Sequence, residues 1–336
     1  MPQLLPERKK LPVPDNGDFS LPQIFASLGG GLAGAAVFAV ITKGTSAAVL
    51  FAFLAPLPIL IVALGFGLRH GATSALIATG LLSIWPNPIF GLVYALLVGV
   101  PALAAAYVAA GAPWRRRELV TAHVPAWAVL AAGGVVAAAV SIAVTIAAIR
   151  FGGLDEALNP LRARAFMAIE DLVRTQELGD KLDPSQLSAL VVFAFPATLA
   201  ALTLLSHTLN LWGAGLLARA SDALSRPWPD IAQEFVLPRT VAGLFLVAAA
   251  VAFLGDLPGE IGLVFAETLG LALAMQGLAV VHALLRGTRV GGVSLIVIYI
   301  VIGLFAWPIV LFTVIGVVDA VFSFRSRKQA AQARRG

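Results

Sequence analysis

The chain contains about nine long apolar stretches, which leave few residues for any other kind of structure. Apolar side chains make up 59% of its 336 residues and charged side chains only 12%, whereas a soluble domain carries about 25% charged residues. A helix that crosses a membrane needs about 20 mostly apolar residues, because lipid offers no partner for exposed backbone groups. The sequence therefore predicts an all-α, polytopic transmembrane helix bundle.

The apolar stretches predict membrane spans at 24–42, 47–68, 71–85, 88–110, 125–149, 187–217, 239–254, 260–285 and 291–322. The last stretch is too long for one ordinary crossing. It contains Trp307-Pro308, and proline breaks helices. We interpret it as two short crossings, 291–305 and 308–322. The bundle then has ten spans, or eight if two of the short segments are re-entrant.

Lys and Arg concentrate in the short cytoplasmic loops of membrane proteins. Most of the 23 Lys and Arg residues lie on one side of the membrane if both termini are placed in the cytoplasm and the last stretch is split. The predicted topology of the 8–10 spans is therefore N-in/C-in.

The chain divides into one membrane domain and two polar tails. Residues 1–22 are polar and proline-rich, and they predict a disordered cytoplasmic tail. Residues 23–324 form the single membrane domain, and residues 325–336 form a basic cytoplasmic tail. Asp319 is expected to anchor the end of the last span, either by pairing with a tail arginine or by capping the interface.

The loop 150–186 is the only sizeable element predicted outside the membrane, on the extracytoplasmic side. Asn159 has the character of an N-cap and Pro160 that of a first helical residue. Apolar residues then recur at helical spacing: Leu161, Ala165, Ile169 and Leu172. The predicted amphipathic helix either gates a site or contacts a partner, or it is a linker that rests on the bilayer surface.

Several classes of site are excluded by composition. The chain has no cysteine, which excludes disulfides and thiolate metal sites. No catalytic motif, metal site or cofactor site is predicted, and the protein is not expected to be an enzyme.

The net charge of +5 does not indicate binding to nucleic acid, because the basic residues lie in short loops between the apolar stretches. The glycines of 29–34 favour close helix packing over nucleotide binding. The expected partners are the lipid bilayer and either a small-molecule substrate or other membrane proteins.

Ionisable residues inside a span are costly and often mark a function. Glu267 is the clearest case. His282 lies on roughly the same helical face but about 22 Å further along the axis, at 1.5 Å per residue. Gln276 points to the opposite face. The functional interpretation is a polar path or substrate site near Glu267, and the alternative is a carboxylate hydrogen-bonded between helices.

A second polar group lies in the span 187–217. His207 and Asn210 share one helical face with Thr203, and interhelical hydrogen bonds explain this pattern. A different span is interrupted by Pro56-Leu57-Pro58. Such breaks often mark transporter binding sites, although prolines also kink membrane helices without a substrate role. The candidate substrate-binding set is Glu267, Gln276, His282, His207, Asn210, Pro56 and Pro58.

Three segments resemble the YybS-like family of predicted bacterial multi-pass membrane proteins: APLPILIVALGFG (55–67), MQGLAVVHALLR (275–286) and IGVVDAVFSFRSR (315–327). The resemblance implies a bacterial cytoplasmic (inner) membrane protein. The family is distantly similar to the substrate-binding components of energy-coupling-factor vitamin transporters and to rod-shape membrane proteins. The resemblance covers eight residues of this chain that match the family's motifs and have no known role: Pro56, Pro58, Gln276, Gly277, His282, Gly316, Asp319 and Arg325.

Two function hypotheses follow. The first is transport, by a small-molecule permease or the substrate-binding membrane component of one, and it is favoured by the broken helix and Glu267. The second is a non-enzymatic scaffold for envelope assembly or division. If Glu267, the Pro56–Pro58 break and His207 meet in one water-accessible cavity, transport is favoured. If they are dispersed among packed interfaces, a scaffold is favoured.

Overall fold

The computed structural model describes residues 20–110, 124–175, 182–221, 228–323 and 325. Within these ranges the chain forms fifteen α-helices and no strand, which confirms the all-α prediction. Nearly all of the two predicted tails lies outside the described residues.

The helices are α1 (Leu21–Ala39), α2 (Ser46–Ala52), α3 (Pro56–Gly65), α4 (Leu68–Ile84), α5 (Pro88–Tyr94), α6 (Val100–Ala109), α7 (Val124–Phe151), α8 (Leu154–Ala157), α9 (Asn159–Thr175), α10 (Pro184–Ala220), α11 (Ile231–Glu234), α12 (Arg239–Val251), α13 (Asp256–Leu285), α14 (Gly291–Phe305) and α15 (Ile309–Phe322). A π-helical turn, Ala95–Gly99, joins α5 to α6.

Six of the described helical segments are long and apolar enough to cross a membrane: Leu21–Lys43, Ser46–Gly65, Pro88–Ala109, Ala126–Phe151, Pro184–Ala220 and Asp256–Leu285. Three shorter apolar helices cover Arg239–Leu254, Gly291–Phe305 and Ile309–Phe322. Together with the 17-residue α4, these segments coincide with the ten predicted spans. The helices support a multi-pass membrane protein, while the number of crossings and the N-in/C-in orientation stay predictions.

The predicted break in the last apolar stretch is confirmed. Helix α14 ends at Phe305, and α15 begins at Ile309, immediately after Trp307-Pro308. Ala306 takes a positive φ of 54° at the break. A continuous helix is disfavoured here, because proline removes a backbone donor and clashes with the preceding turn.

Helix α15 runs parallel to α13, so the chain reverses direction twice after α13. The Thr313 hydroxyl donates to the Gly270 carbonyl at 3.1 Å, and the Gln276 amide donates to Asp319 at 2.8 Å. Both pairs keep the same separation of 43 residues. The intervening α14 therefore returns the chain, and α15 ends on the same side of the bundle as α13.

Helix α13 is the centre of the bundle and packs against α7, α10, α12 and α15. Its contact with α15 depends on glycine. A Cβ on Gly316 would collide with the Leu273 carbonyl, and a Cβ on Gly277 would collide with the Phe312 carbonyl. Small residues allow such backbone approach between helices in lipid, where dispersion contacts replace the hydrophobic effect as the source of attraction.

Glycines of α1 have the packing role that the sequence predicts. A Cβ on Gly30 would lie 2.7 Å from Val62 of α3 and 2.8 Å from Ser74 of α4. Gly34 lies against the Tyr94 hydroxyl, where a Cβ would be 2.6 Å away. Gly29 faces open space instead. Three helices thus pack on one glycine face of α1.

The predicted amphipathic helix of loop 150–186 is present as α9. It begins at Asn159, one residue before the predicted first helical residue Pro160, so Asn159 lies inside the helix and is not its N-cap. Val173 is buried, and α9 packs against α10. Asp183-Pro184 belongs to α10, since the Asp183 carboxylate accepts a hydrogen bond from the Ser185 backbone at 2.9 Å and caps that helix. Helix α10 therefore starts three residues before the predicted span.

Candidate functional site

Two carboxylates lie on one face of α13. Glu260 and Glu267 are seven residues apart, so their directions around the helix differ by about 20° and they are about 10 Å apart along its axis. Both side chains are half-buried. Glu267 is about 16 Å from the start of α13 at Asp256, at 1.5 Å per residue. The acidic face, defined as Glu260 and Glu267, thus reaches well inside the spanning segment.

Neither carboxylate has a cationic partner among the residues that the structure describes. Glu267 has the Thr198 side chain of α10 as its hydrogen-bonding neighbour. The Oε2 atom of Glu260 is sealed from solvent and makes no hydrogen bond to described residues. Asp155 of α8 is close enough to Glu260 to interact electrostatically with it. An acidic face of this kind attracts a cation or a proton.

The Pro56–Pro58 break and the polar face of α10 do come together. The turn between α2 and α3 leaves the Phe53 carbonyl without its usual helical donor, because the Leu57 backbone N–H donates to Leu54 instead, at 3.0 Å. The Ser206 hydroxyl and the Asn210 amide both donate to the Phe53 oxygen, at 2.7 and 2.6 Å. The broken helix is thus held by side chains of α10.

His207, which neighbours Ser206 on α10, also bonds to a backbone carbonyl of another helical segment. Its Nε2 atom lies 3.1 Å from the Val98 carbonyl oxygen, and its Nδ1 atom lies 2.8 Å from the Thr203 carbonyl oxygen. Val98 belongs to the π-helical turn, just before Pro101, and such turns displace carbonyls from regular helical bonding. His207 is fully buried, at 1% exposure. The interhelical bonding that the sequence predicts for His207 and Asn210 is therefore confirmed.

Replacing Asn210 with Leu should lower the free energy of unfolding by about 1 kcal/mol, the net value of a typical buried hydrogen bond. Ser206 still donates to the Phe53 carbonyl in this variant. The double variant Ser206→Ala/Asn210→Leu leaves that carbonyl without a side-chain donor and should lose about 1–3 kcal/mol. Denaturant unfolding in detergent measures both. Equal stability of the double variant and the wild type would contradict this role.

Gln276 lies in a different network, at the opposite end of α13 from the acidic face. Its Oε1 atom accepts from the Leu237 backbone N–H at 2.8 Å, and its Nε2 donates to Asp319 at 2.8 Å. Asp319 is also paired with Arg325 at 2.9 Å. The expected pairing of Asp319 with a tail arginine is confirmed. We call Gln276, Asp319 and Arg325 the buried polar triad.

Arg325 ties the end of the chain to the segment between α10 and α12. Its guanidinium donates to the Ala232 carbonyl at 2.8 Å and to the Phe235 carbonyl at 2.6 Å. Asp319 and Arg325 are only 2% and 7% exposed. An ion pair so deeply buried is stabilising only when its remaining donors and acceptors are also satisfied, and these carbonyls satisfy the guanidinium.

A second ion pair holds the same segment at the surface. Arg286 donates to both oxygens of Asp230, at 2.6 and 3.0 Å. This hydrogen bond is the main reason that the pKa of Asp230 is lowered, so the pair stays ionised at neutral pH. Both side chains are about half-exposed, at 52% and 41%.

The structure does not gather the candidate set into one cavity. His282 bonds to the Leu278 carbonyl of its own helix at 2.9 Å and lies 3.4 Å from the Tyr299 hydroxyl of α14. Of the cavities found among the described residues, one groove lies between α9 and α10, and one apolar cleft of about 350 Å³ lies between α7, α12 and α13. Neither is lined by a member of the set. Substrate binding by these residues stays a prediction.

Sequence reasoning overlooked two features of the site. Glu260 is one: its seven-residue separation from Glu267 could have placed both carboxylates on one face of a helix. The other is the Phe53 carbonyl, a backbone group that no residue pattern identifies directly. Only the nearby prolines indicated that a carbonyl would be free.

A family model described as a predicted membrane protein (DUF2232) matches residues 35–320. No curated protein and no solved structure matches the chain.

Proposed function

We propose that this chain, which belongs to the DUF2232 family of predicted membrane proteins, is a small-molecule permease or the substrate-binding membrane component of one. The solute or its coupling ion carries positive charge. The observation that supports this proposal is the acidic face of α13. Carboxylates within spanning segments are costly and characteristically belong to ion, proton or substrate pathways.

The acidic face offers a route from one end of the bundle. Asp155 lies beside Glu260, and Glu267 follows about 10 Å further along α13. A cation therefore meets successive carboxylates. Glu260 and Glu267 have no ion-pair partner among the described residues, whereas Asp155 lies 3.8 Å from the Arg162 guanidinium. The proposed protein binds and releases its solute unchanged, so no enzymatic step is included.

The YybS-like resemblance is part of the same proposal. Its distant similarity to the vitamin-binding components of energy-coupling-factor transporters favours a binding component. The proposed location is the bacterial inner membrane, with both termini inside. The end of α13 that carries Glu260 then faces the outside, from which a solute would enter.

Replacing Glu267 with Gln should abolish stabilisation by the solute. A ligand at 100 times its Kd stabilises the folded state by about 2.7 kcal/mol, so thermal unfolding of the purified protein can screen cationic metabolites beside neutral vitamins and nucleobases. We expect at least one cationic compound to stabilise the wild type but not Glu267→Gln. The control is Glu170→Gln, on the exposed side of α9, which should keep the response.

The accessibility of position 267 to water can be measured without knowing the solute, and this gives a second test of the proposal. The chain lacks cysteine, so Glu267→Cys creates a unique thiol. A water-soluble maleimide should label it, whereas Leu246→Cys, on an exposed apolar position of α12, should stay unlabelled in lipid. The transport proposal fails if Glu267→Cys is also unreactive, or if no cationic compound distinguishes Glu267→Gln from the wild type.

The dispersal of the other polar residues favours a second candidate, a non-enzymatic scaffold for envelope assembly or division. His207, Asn210 and Gln276 are all committed to hydrogen bonds at packed helix interfaces. A scaffold requires such rigidity but no aqueous path. Crosslinking in native membranes should then recover one fixed protein partner, and Glu267→Gln should leave that partner in place.

A further inference from the structure

An open groove of about 730 Å³ lies between α9 and the first turns of α10. It does not involve the acidic face. Its lining combines one basic side chain, polar groups and apolar side chains: Asn159, Arg162, Ala163, Phe166, Met167, Ser185, Ser188 and Ala189.

Arg162 is the basic side chain of this groove, and among the residues that the structure describes it has only one long ion-pair contact. One guanidinium nitrogen lies 3.8 Å from Asp155, and the Arg162 side chain is 39% exposed. A contact at that distance is too long for a hydrogen bond. The guanidinium has five N–H donors, and a phosphate is the group that its planar fork fits best.

The α10 side of the groove offers acceptors. The Ser188 hydroxyl donates to the Ser185 carbonyl at 2.9 Å, and the Ser185 hydroxyl bonds to Asp183. Each serine hydrogen is therefore directed to another acceptor. Neither serine oxygen accepts a hydrogen bond from the described residues, so both can accept one from a ligand. A headgroup that carries hydroxyl donors as well as a phosphate would match both walls.

The apolar part of the groove suits the chains of a lipid. Phe166 is half-buried, and Met167 is 60% exposed. The groove lies beyond the end of α7 and at the beginning of α10, two helices long enough to span the bilayer. The headgroup layer lies at such helix ends, where arginine side chains interact with lipid phosphates.

We propose that the groove between α9 and α10 binds an anionic phospholipid with a hydroxyl-bearing headgroup. Its phosphate pairs with Arg162, its headgroup hydroxyls donate to Ser185 and Ser188, and its chains cover Phe166 and Met167. The charge complementarity of Arg162 selects an anionic lipid over a zwitterionic one. This gives α9 a specific ligand, beyond the general role of resting on a bilayer.

Titration of the detergent-purified protein with phosphatidylglycerol, followed by native mass spectrometry, tests the proposal. Arg162→Gln should weaken the apparent affinity about five-fold, the effect of one basic residue at a membrane surface. Arg164→Gln makes the same charge change on the exposed side of α9, outside the groove lining, and should leave the affinity unchanged. Ala163→Trp keeps the charge but fills the groove, and it should weaken binding as well.

Each alternative gives a different result. If Arg164→Gln weakens binding as much as Arg162→Gln, the attraction is a general surface effect and the proposal fails. Equal retention of phosphatidylcholine also overturns it. Displacement by inorganic phosphate alone would identify a free anion rather than a lipid as the occupant. Thermal unfolding without added lipid verifies that each variant is folded.

Discussion

Replacing Arg325 with Gln is expected to lower the free energy of unfolding by about 3–5 kcal/mol, the range for breaking one side of a buried ion pair. The variant leaves the Asp319 carboxylate almost fully buried, at 2% exposure, without its cation. It also weakens or removes the donors to the Ala232 and Phe235 carbonyls. Denaturant unfolding in mixed micelles measures the loss.

The chain contains a matched control for this change. Arg286→Gln removes the same guanidinium from an Arg–Asp pair that holds the same segment, but at the surface. Exposed pairs contribute about 0–1 kcal/mol, because water solvates both charges when they separate. If the two variants lose equal stability, the buried polar triad has no special role and the assignment is wrong.

The variant Asp319→Asn tests the contribution of the carboxylate charge, because asparagine keeps the size of aspartate and can still form hydrogen bonds. It leaves the Arg325 guanidinium buried without its carboxylate, so it should also be strongly destabilising. Combining it with Arg325→Gln removes both charges, and the double variant should lose less than the sum of the single losses. Additive losses would mean that the two side chains act independently, despite their 2.9 Å separation.

The positions of the helices could be predicted from the sequence because hydrocarbon tolerates few alternatives. Apolar stretches separated by polar, glycine or proline residues predict helix ends within a few residues, and Trp307-Pro308 correctly predicts a break. The pair Asn159-Pro160 likewise predicts the start of α9 to within one residue. These features are local, so each requires only neighbouring residues.

The partners of the polar side chains could not be predicted, since they depend on which helices meet. Gln276 and Asp319 are 43 residues apart, and the amide of Asn210 reaches a carbonyl 157 residues away. A backbone carbonyl freed by a proline break has no residue type of its own. For this reason the Pro56–Pro58 break and Asn210 were both recognised as candidates, but not as one interaction.

Two of the segments on which the predicted YybS-like resemblance rests meet at the contact between α13 and α15. Segment 275–286 lies in and just after α13, and the described part of segment 315–327 includes the end of α15. Gln276, Asp319 and Arg325 form the buried polar triad, while Gly277 and Gly316 permit the close backbone approach. The triad thus lies beside the close approach of α13 and α15, and its hydrogen bond between Gln276 and Asp319 joins the same two helices.

Replacing Gly316 with Ala should separate α13 from α15 and cost about 1–3 kcal/mol, the usual range for an overpacked interior. The added methyl group would collide with the carbonyl oxygen of Leu273, which belongs to the backbone and cannot rotate away as a side chain could. The separation should also lengthen the hydrogen bond between Gln276 and Asp319. Unfolding in mixed micelles measures the stability, and disulfide formation between cysteines introduced at 270 and 313 measures the distance between the helices.

Replacing a glycine with alanine in the middle of α7 should instead raise the free energy of unfolding. A methyl group added at Gly134 would have no atom of the described residues within 4 Å. Gly134→Ala should therefore stabilise the protein by up to about 1 kcal/mol through its higher helix propensity. Opposite signs for one chemical change distinguish helix packing from a general effect of alanine. If Gly316→Ala also stabilises the protein and leaves the crosslink intact, α13 and α15 do not approach as closely as the glycine contact requires, and the buried polar triad loses its geometric basis.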